Sequence, residues 1–69
     1  MDRVMVTIKL DRLEYDYEII KHGDVYTILE HGKEIAEIEC SDEWTQTSGA
    51  HLPDGCIEEI IHAIEANYN

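Results

Sequence analysis

A thiol and an imidazole five residues apart, Cys56 and His51, are the side chains whose types and spacing could do chemistry in this chain. A nearby histidine can activate a cysteine as a nucleophile, and backbone amides around Gly49 could stabilise the developing charge. However, Cys56 precedes isoleucines at helical spacing, which is typical of a packed thiol. A chain of 69 residues also leaves little volume for a substrate pocket. We therefore expect no enzymatic activity.

Metal binding is the second kind of chemistry to consider. Zinc sites need three or four ligands at recurring spacings, and the sequence contains no CxxC, HxxxH or HExxH pattern. His22 and His31 each precede a glycine, which is typical of turn residues. We expect neither a metal nor another cofactor. A small-ligand or metal-binding domain that uses the loop–helix junction at His51 and Cys56 is the alternative function.

Two cysteines are too few for the disulfide framework of a small secreted domain. Cys40 and Cys56 have apolar neighbours, where a reduced, buried thiol is the usual outcome, although their spacing alone does not decide whether they form a bridge. The N-terminal segment is too charged, and its apolar run too short, for a signal peptide. No stretch approaches the ~20 apolar residues of a membrane span. The expected location is the cytoplasm.

The charge balance limits the partners that this chain can bind. Sixteen Asp and Glu residues against five Lys and Arg residues give a formal net charge of -11. A field of this sign repels phosphate backbones and anionic lipid surfaces, so we expect no binding to nucleic acids or membranes. The expected partner is a protein, either a second copy in a homodimer or a protein of basic character.

Alternating apolar and polar residues predict a four-stranded antiparallel β-meander over residues 3–40. Val6 and Ile8 lie on one face of the first strand, and Tyr15 and Tyr17 continue the same period of two after a turn at residues 11–12. A two-residue turn there would place Ile8 opposite Tyr15 and Val6 opposite Tyr17. Apolar residues would then face one another across the two strands.

Two glycines predict the next two turns. A two-residue loop at His22–Gly23 would pair Ile19 with Tyr26, and a three-residue loop that ends at Gly32 would pair Tyr26 with Ala36. A loop one residue longer or shorter would move every side chain of the following strand to the other face. The pairing of the third and fourth strands therefore depends on a loop length that the sequence leaves open.

One amphipathic C-terminal helix is predicted over residues 53–67. Pro53 suits a first helical turn because the missing N–H has no partner there, and Asp54 lies where the helix dipole favours a carboxylate. Isoleucines then recur at helical spacing, at Ile57, Ile60, Ile61 and Ile64. This stripe has to pack on one face of the sheet, since no other element offers an apolar surface of matching size.

The remaining residues, 41–52, form a loop with a short fifth strand predicted near Trp44. The whole chain, residues 1–69, is then expected to be a single α+β domain: a four-stranded antiparallel meander, a loop, and one helix packed on one face of the sheet.

The helix can cover only one face of such a sheet, and the opposite face carries aliphatic residues among carboxylates. An apolar patch with a charged rim is typical of a protein interface, whereas a covering loop or scattered exposure would make it structural only. The predicted interface residues are Ile20, Val25, Leu29, Ile35 and Trp44. Trp44 could instead close the edge of the core. The function that these patterns favour is a small, acidic, non-catalytic protein-interaction module, which can self-associate through the outer sheet face or an edge strand.

A stability prediction follows from the net charge of -11. Mutual repulsion among the carboxylates destabilises the compact state, and salt screens that repulsion. The melting temperature should therefore rise when salt is increased from about 10 to about 200 mM, as measured by circular dichroism. A fall over this range would show that carboxylate repulsion does not limit the stability.

Overall fold

The computed structural model describes residues 2–53 and 55–68 and contains five strands followed by one helix. These elements are β1 (Asp2–Leu10), β2 (Leu13–His22), β3 (Val25–Glu30), β4 (Lys33–Cys40), β5 (Trp44–Gly49) and α1 (Cys56–Tyr68). The strands form one antiparallel sheet in the order β1-β2-β3-β4-β5. The predicted α+β meander is confirmed, including the fifth strand near Trp44. Within the described residues, no helix is long and apolar enough to cross a membrane.

The first hairpin has the register that the alternating pattern predicted. Ile8 lies opposite Tyr15 and Val6 lies opposite Tyr17. The turn between β1 and β2 contains only residues 11 and 12, and Asp11 adopts a positive φ of 58°. The pairing is regular over the whole length of β1, so one face of this hairpin is continuously apolar.

The turn between β2 and β3 lies one residue later than predicted. It consists of Gly23–Asp24, and His22 is the last residue of β2 rather than a turn residue. Glycine at the first central position, here with a φ of 61°, is what a two-residue turn of type II′ favours. Ile19 consequently lies opposite Ile28 instead of Tyr26. Because the partner moves by two residues, every side chain keeps its predicted face.

A β-bulge determines which residues of β4 are buried. The turn before β4 has two residues, His31–Gly32, with positive φ at both positions as in a type I′ turn, and not the predicted three. A two-residue turn alone would move the buried residues of β4 to the other face. The register shifts directly after Ile28, where Ile35 is the additional residue. Ala36 therefore stays on the buried face, opposite Ile28 rather than Tyr26.

The last strand approaches β4 closely at Gly49. Gly49 lies opposite Ala36 with a φ of 104°, a conformation that only glycine adopts readily. A Cβ atom at this position would overlap the carbonyl oxygen of Ile35 and the Cα atom of Ala36. The Ala50 amide donates a hydrogen bond to the same carbonyl at 3.2 Å. The glycine thus allows the chain to close over the bulge in β4.

The helix begins at Cys56 and not at Pro53. The Glu59 amide donates a hydrogen bond to the Gly55 carbonyl at 3.2 Å, which makes Gly55 the N-cap residue. The expectation for Asp54 lies outside the described residues. The delayed start leaves Pro53 in the connection that brings the chain back from β5 to the sheet.

The hydrophobic core lies between α1 and one face of the sheet. Its buried members are Ile8, Tyr17, Ile19, Tyr26, Ile28, Ala36, Ile38, Leu52, Cys56, Ile60 and Ile64. Full burial of an aliphatic side chain stabilises the fold by about 1.5–3 kcal/mol, so Ile60 and Ile64 anchor the helix. At its C-terminal end, the Tyr68 hydroxyl donates to the Ile19 carbonyl at 3.1 Å. Burial and this hydrogen bond together fix the helix across the first strands.

Replacement of Gly49 by alanine should destabilise the protein far more than replacement of Gly23. Both glycines have positive φ, but a Cβ atom on Gly23 would meet nothing within 4 Å, whereas one on Gly49 would overlap the backbone of β4. We expect Gly23→Ala to lower the free energy of unfolding by about 1–2 kcal/mol and Gly49→Ala by about 3 kcal/mol or more. Urea denaturation measures both values, and equal losses would contradict the close approach at β5.

Candidate functional site

The sheet has one face that α1 covers and one that it leaves uncovered. We call the second the outer face. Strand alternation and the cross-strand pairs assign its side chains: Arg3, Met5, Thr7, Lys9, Glu14, Asp16, Glu18, Ile20, His22, Val25, Thr27, Leu29, Glu34, Glu37, Glu39, Thr45 and Ser48. Leu52 and the buried residues of α1 belong to the core on the other side. Among the described residues, no element packs on the outer face.

Four aliphatic side chains of the outer face form what we call the apolar strip: Met5, Ile20, Val25 and Leu29. Ile20 is only 8% exposed although it lies on the face opposite the core, and Met5 is 68% exposed. Val25 and Leu29 are half-buried. Ile20 lies opposite Thr27, the residue between Val25 and Leu29 on β3. Ile20 is therefore the buried centre of the strip, and the other three side chains occupy diagonal positions around it on the neighbouring strands.

The carboxylates of β2 on this face all have a polar partner. Arg3 forms an ion pair with Glu18, and Lys9 lies 3.7 Å from Glu14. The Thr7 hydroxyl donates a hydrogen bond to Asp16 at 2.8 Å. Ion pairs near the surface are individually weak, but Arg3 and Lys9 compensate two of the three negative charges on the β1–β2 side of the strip.

The carboxylates of β4 have a different environment. Glu37 accepts a hydrogen bond from the Thr47 hydroxyl at 2.8 Å. Among the described residues, no Lys or Arg forms an ion pair with Glu34, Glu37 or Glu39. The acidic charge on the β4 side of the apolar strip is therefore not compensated by any Lys or Arg that the structure describes.

The structure separates the five residues predicted to form an interface. Ile20, Val25 and Leu29 lie together on the outer face, where Met5 joins them. Ile35 and Trp44 instead pack against the core cluster. Ile35 is the bulged residue of β4, and a bulge redirects a side chain that simple alternation would place on the outer face.

Trp44 lies at the edge of the core, where the sequence left two roles open. It is paired with Cys40, so it points to the same face as the core residues of β4. Its ring centroid lies 5.6 Å from that of Tyr26, which in turn lies 5.6 Å from the ring of Tyr68. Contacts of this kind stabilise beyond the area they bury. Trp44 thus extends the aromatic packing at the C-terminal end of α1.

At the loop–helix junction, Cys56 and His51, the two residues that could do chemistry, lie in different environments. Cys56 is fully buried, and its thiol donates a hydrogen bond to the Tyr17 hydroxyl at 3.4 Å. Burial raises the pKa of the Cys56 thiol, and the hydrogen bond to Tyr17 only partly opposes this effect. A thiol held protonated in this way is a poor nucleophile and a poor metal ligand. Both Cys56 and Cys40 are free.

His51 lies in a different environment from Cys56. It is exposed and lines an open depression of about 390 Å3 along β5, together with residues 46–50. Within the part of the chain that the structure describes, no group of three or more His, Cys, Asp and Glu side chains could hold a metal ion. The buried Cys56 thiol and the exposed His51 imidazole therefore do not form a common site.

Comparison with known proteins adds no relative from which a role could be transferred. No protein-family model, no curated protein and no solved structure matches this chain. The geometry of the outer face is consequently the basis for a functional proposal.

The buried Cys56–Tyr17 pair predicts a loss of stability at alkaline pH. Burial, with the hydrogen bond to Cys56 as a smaller cause, raises the pKa of Tyr17, and burial also raises the pKa of Tyr26. Groups of this kind favour the folded state below their ordinary pKa values, 9.0 for the thiol and 10.0 for the phenol. Unfolding lets them ionise, so the free energy of unfolding should fall between about pH 9 and about pH 11.

Urea denaturation at several pH values measures this slope. Tyr17→Phe should have a shallower slope than the wild type because one of the titrating groups is removed, while Cys56 and Tyr26 keep part of it. Identical slopes in the two proteins would contradict the role of Tyr17.

Proposed function

We propose that this domain is a small, non-catalytic protein-interaction module that binds its partner through the outer face. The observation that carries the proposal is the apolar strip of Met5, Ile20, Val25 and Leu29 on a sheet face that no described element covers. A sheet face in contact with water usually carries polar side chains. A connected apolar surface with a charged rim is typical of a binding site.

The burial of the strip favours a pre-formed surface. Ile20 is already buried by its neighbours, so it supports the shape of the strip and adds little new contact area. Met5, Val25 and Leu29 retain exposed area that a partner could remove from water. Such burial is worth roughly 25 cal/mol per Å2, and it would be concentrated at the centre of the contact, where interfaces derive most of their affinity.

Of the two edge strands of the sheet, β1 is better suited than β5 to contact a partner. β5 carries a bulge at Thr47, and the Gln46 amide donates to the carbonyls of Ser48 and Ala50. Bulges and satisfied backbone groups discourage edge pairing. β1 is nine residues long and pairs with β2 without a bulge. A partner that contacts Met5 on the outer face can therefore extend onto this edge.

In this proposal, the domain binds a protein partner in the cytoplasm. It has no enzymatic activity and binds no nucleic acid, membrane or cofactor. The net charge of -11 disfavours phosphate backbones and anionic lipids. The buried, protonated Cys56 thiol supports a packing role over a nucleophilic one. Two free cysteines suit a reducing compartment.

Site-specific photo-crosslinking tests the proposal without any assumption about the partner. The photoreactive residue p-benzoylphenylalanine replaces Met5 or Leu29 on the outer face, and His62 or Glu65 on the exposed side of α1 as matched controls. We expect a discrete protein adduct, identified by mass spectrometry, from the two outer-face positions and none from the helix positions. Adducts only from α1, or from none of the four positions in cells that produce the protein natively, would overturn it.

A further inference from the structure

The charge on the two sides of the apolar strip is unequal. On the β1–β2 side, Arg3 and Lys9 compensate two of the carboxylates, and Thr7 donates to a third. On the β4 side, Glu34, Glu37 and Glu39 have no basic partner among the described residues. Uncompensated charge therefore lies along one border of the strip and not around it.

The cross-strand pairs place this border in register with the strip. Leu29 lies opposite Glu34, and Val25 lies opposite Glu39. Neighbouring strands are about 4.8 Å apart, so each of these two outer-face side chains of β3 has a carboxylate directly beside it on β4. Glu37 lies between the two pairs, opposite Thr27. Along β3 and β4, the outer face thus presents a row that carries Val25 and Leu29 on either side of Thr27 and, parallel to it, an acidic row.

We propose that the occupant of the outer face is an amphipathic basic protein segment, whose apolar side chains contact the strip and whose Lys or Arg side chains contact the carboxylates of β4. This inference rests on the function proposed above and adds the chemistry and orientation of the partner. A helix with leucines at positions i and i+4 and lysines beside them presents two such rows.

A second copy of this chain fits the same surface poorly. Each copy carries a net charge of -11, and the two basic side chains of the outer face, Arg3 and Lys9, already form ion pairs with β2. Stacked outer faces would bring carboxylates together without enough cations to compensate them, which opposes association. Charge complementarity therefore favours a basic partner over a homodimer.

The test uses a defined probe with the chain of residues 1–69. The probe is a dye-labelled amphipathic helical peptide with leucines on one side and lysines on both borders, and binding is followed by fluorescence anisotropy. One comparison peptide keeps the lysines and has serine for leucine, and a second keeps the leucines and has glutamate for lysine. Circular dichroism confirms that every protein variant is folded.

The variants separate the β4 border from the general acidity of the chain. The double variant Glu37→Lys with Glu39→Lys should weaken binding of the Leu/Lys peptide by about tenfold or more. The matched control, Glu59→Lys with Glu65→Lys, makes the same charge change on the exposed side of α1 and should weaken it by about twofold or less. The milder pair Glu37→Gln with Glu39→Gln, which keeps the side-chain shape, should show an intermediate loss.

Two results of the binding experiment would overturn the inference. An equal loss in the β4 and α1 double variants would show that only net charge matters, and equal binding of the serine peptide would show that the apolar strip takes no part. An outer-face adduct with a second copy or with an acidic protein in the crosslinking experiment would also overturn it, although the proposed interaction function would stand. Absence of any outer-face adduct would remove the proposed function itself.

Discussion

The packing of one helix against one face of the sheet is the contact on which the rest of this structure depends. Cys56, Ile60 and Ile64 bury the helix stripe against the sheet, and Tyr68 fixes its far end to the Ile19 carbonyl. A small chain buries only a modest share of its surface, and this chain has a single helix to contribute. Packing against the helix therefore explains the apolar residues of the inner face. It does not explain the apolar residues of the outer face.

The β-bulge at Ile35 in β4 keeps that division between the faces intact. The turn at His31–Gly32 is one residue shorter than a loop that would keep β4 in register by itself, and Ile35 restores the alternation. Gly49 then lets β5 approach the bulge where a Cβ atom would overlap the backbone. The bulge in β4 is thus the condition for a regular apolar inner face. It also removes Ile35 from the outer face, which leaves a strip centred on Ile20 and bordered by β4.

Acidity has different consequences in different parts of the molecule. Along β2, Arg3 and Lys9 compensate two of the carboxylates, and the neutral Thr7 hydroxyl donates a hydrogen bond to the third; these contacts add little to stability. Along β4, no described Lys or Arg compensates the carboxylates, which lie beside aliphatic side chains that remain partly exposed. A surface of this kind gains from a partner that brings both apolar contact and positive charge. The same charge opposes the self-association that an apolar sheet face would otherwise favour.

The sequence by itself determined the elements, the first hairpin and the division of the sheet into a core face and an acidic face, because the apolar positions of a strand or helix are set by its own periodicity. It also indicated Ile20, Val25 and Leu29 correctly as residues of the outer face. It did not determine the turn residues at Gly23–Asp24, the bulge at Ile35 or the start of α1 at Cys56. These features depend on how strands fit against one another and on where the helix can reach the sheet, which are distances between elements. For the same reason, only the tertiary structure decided that Ile35 and Trp44 pack against the core and that the thiol of Cys56 faces Tyr17 instead of His51.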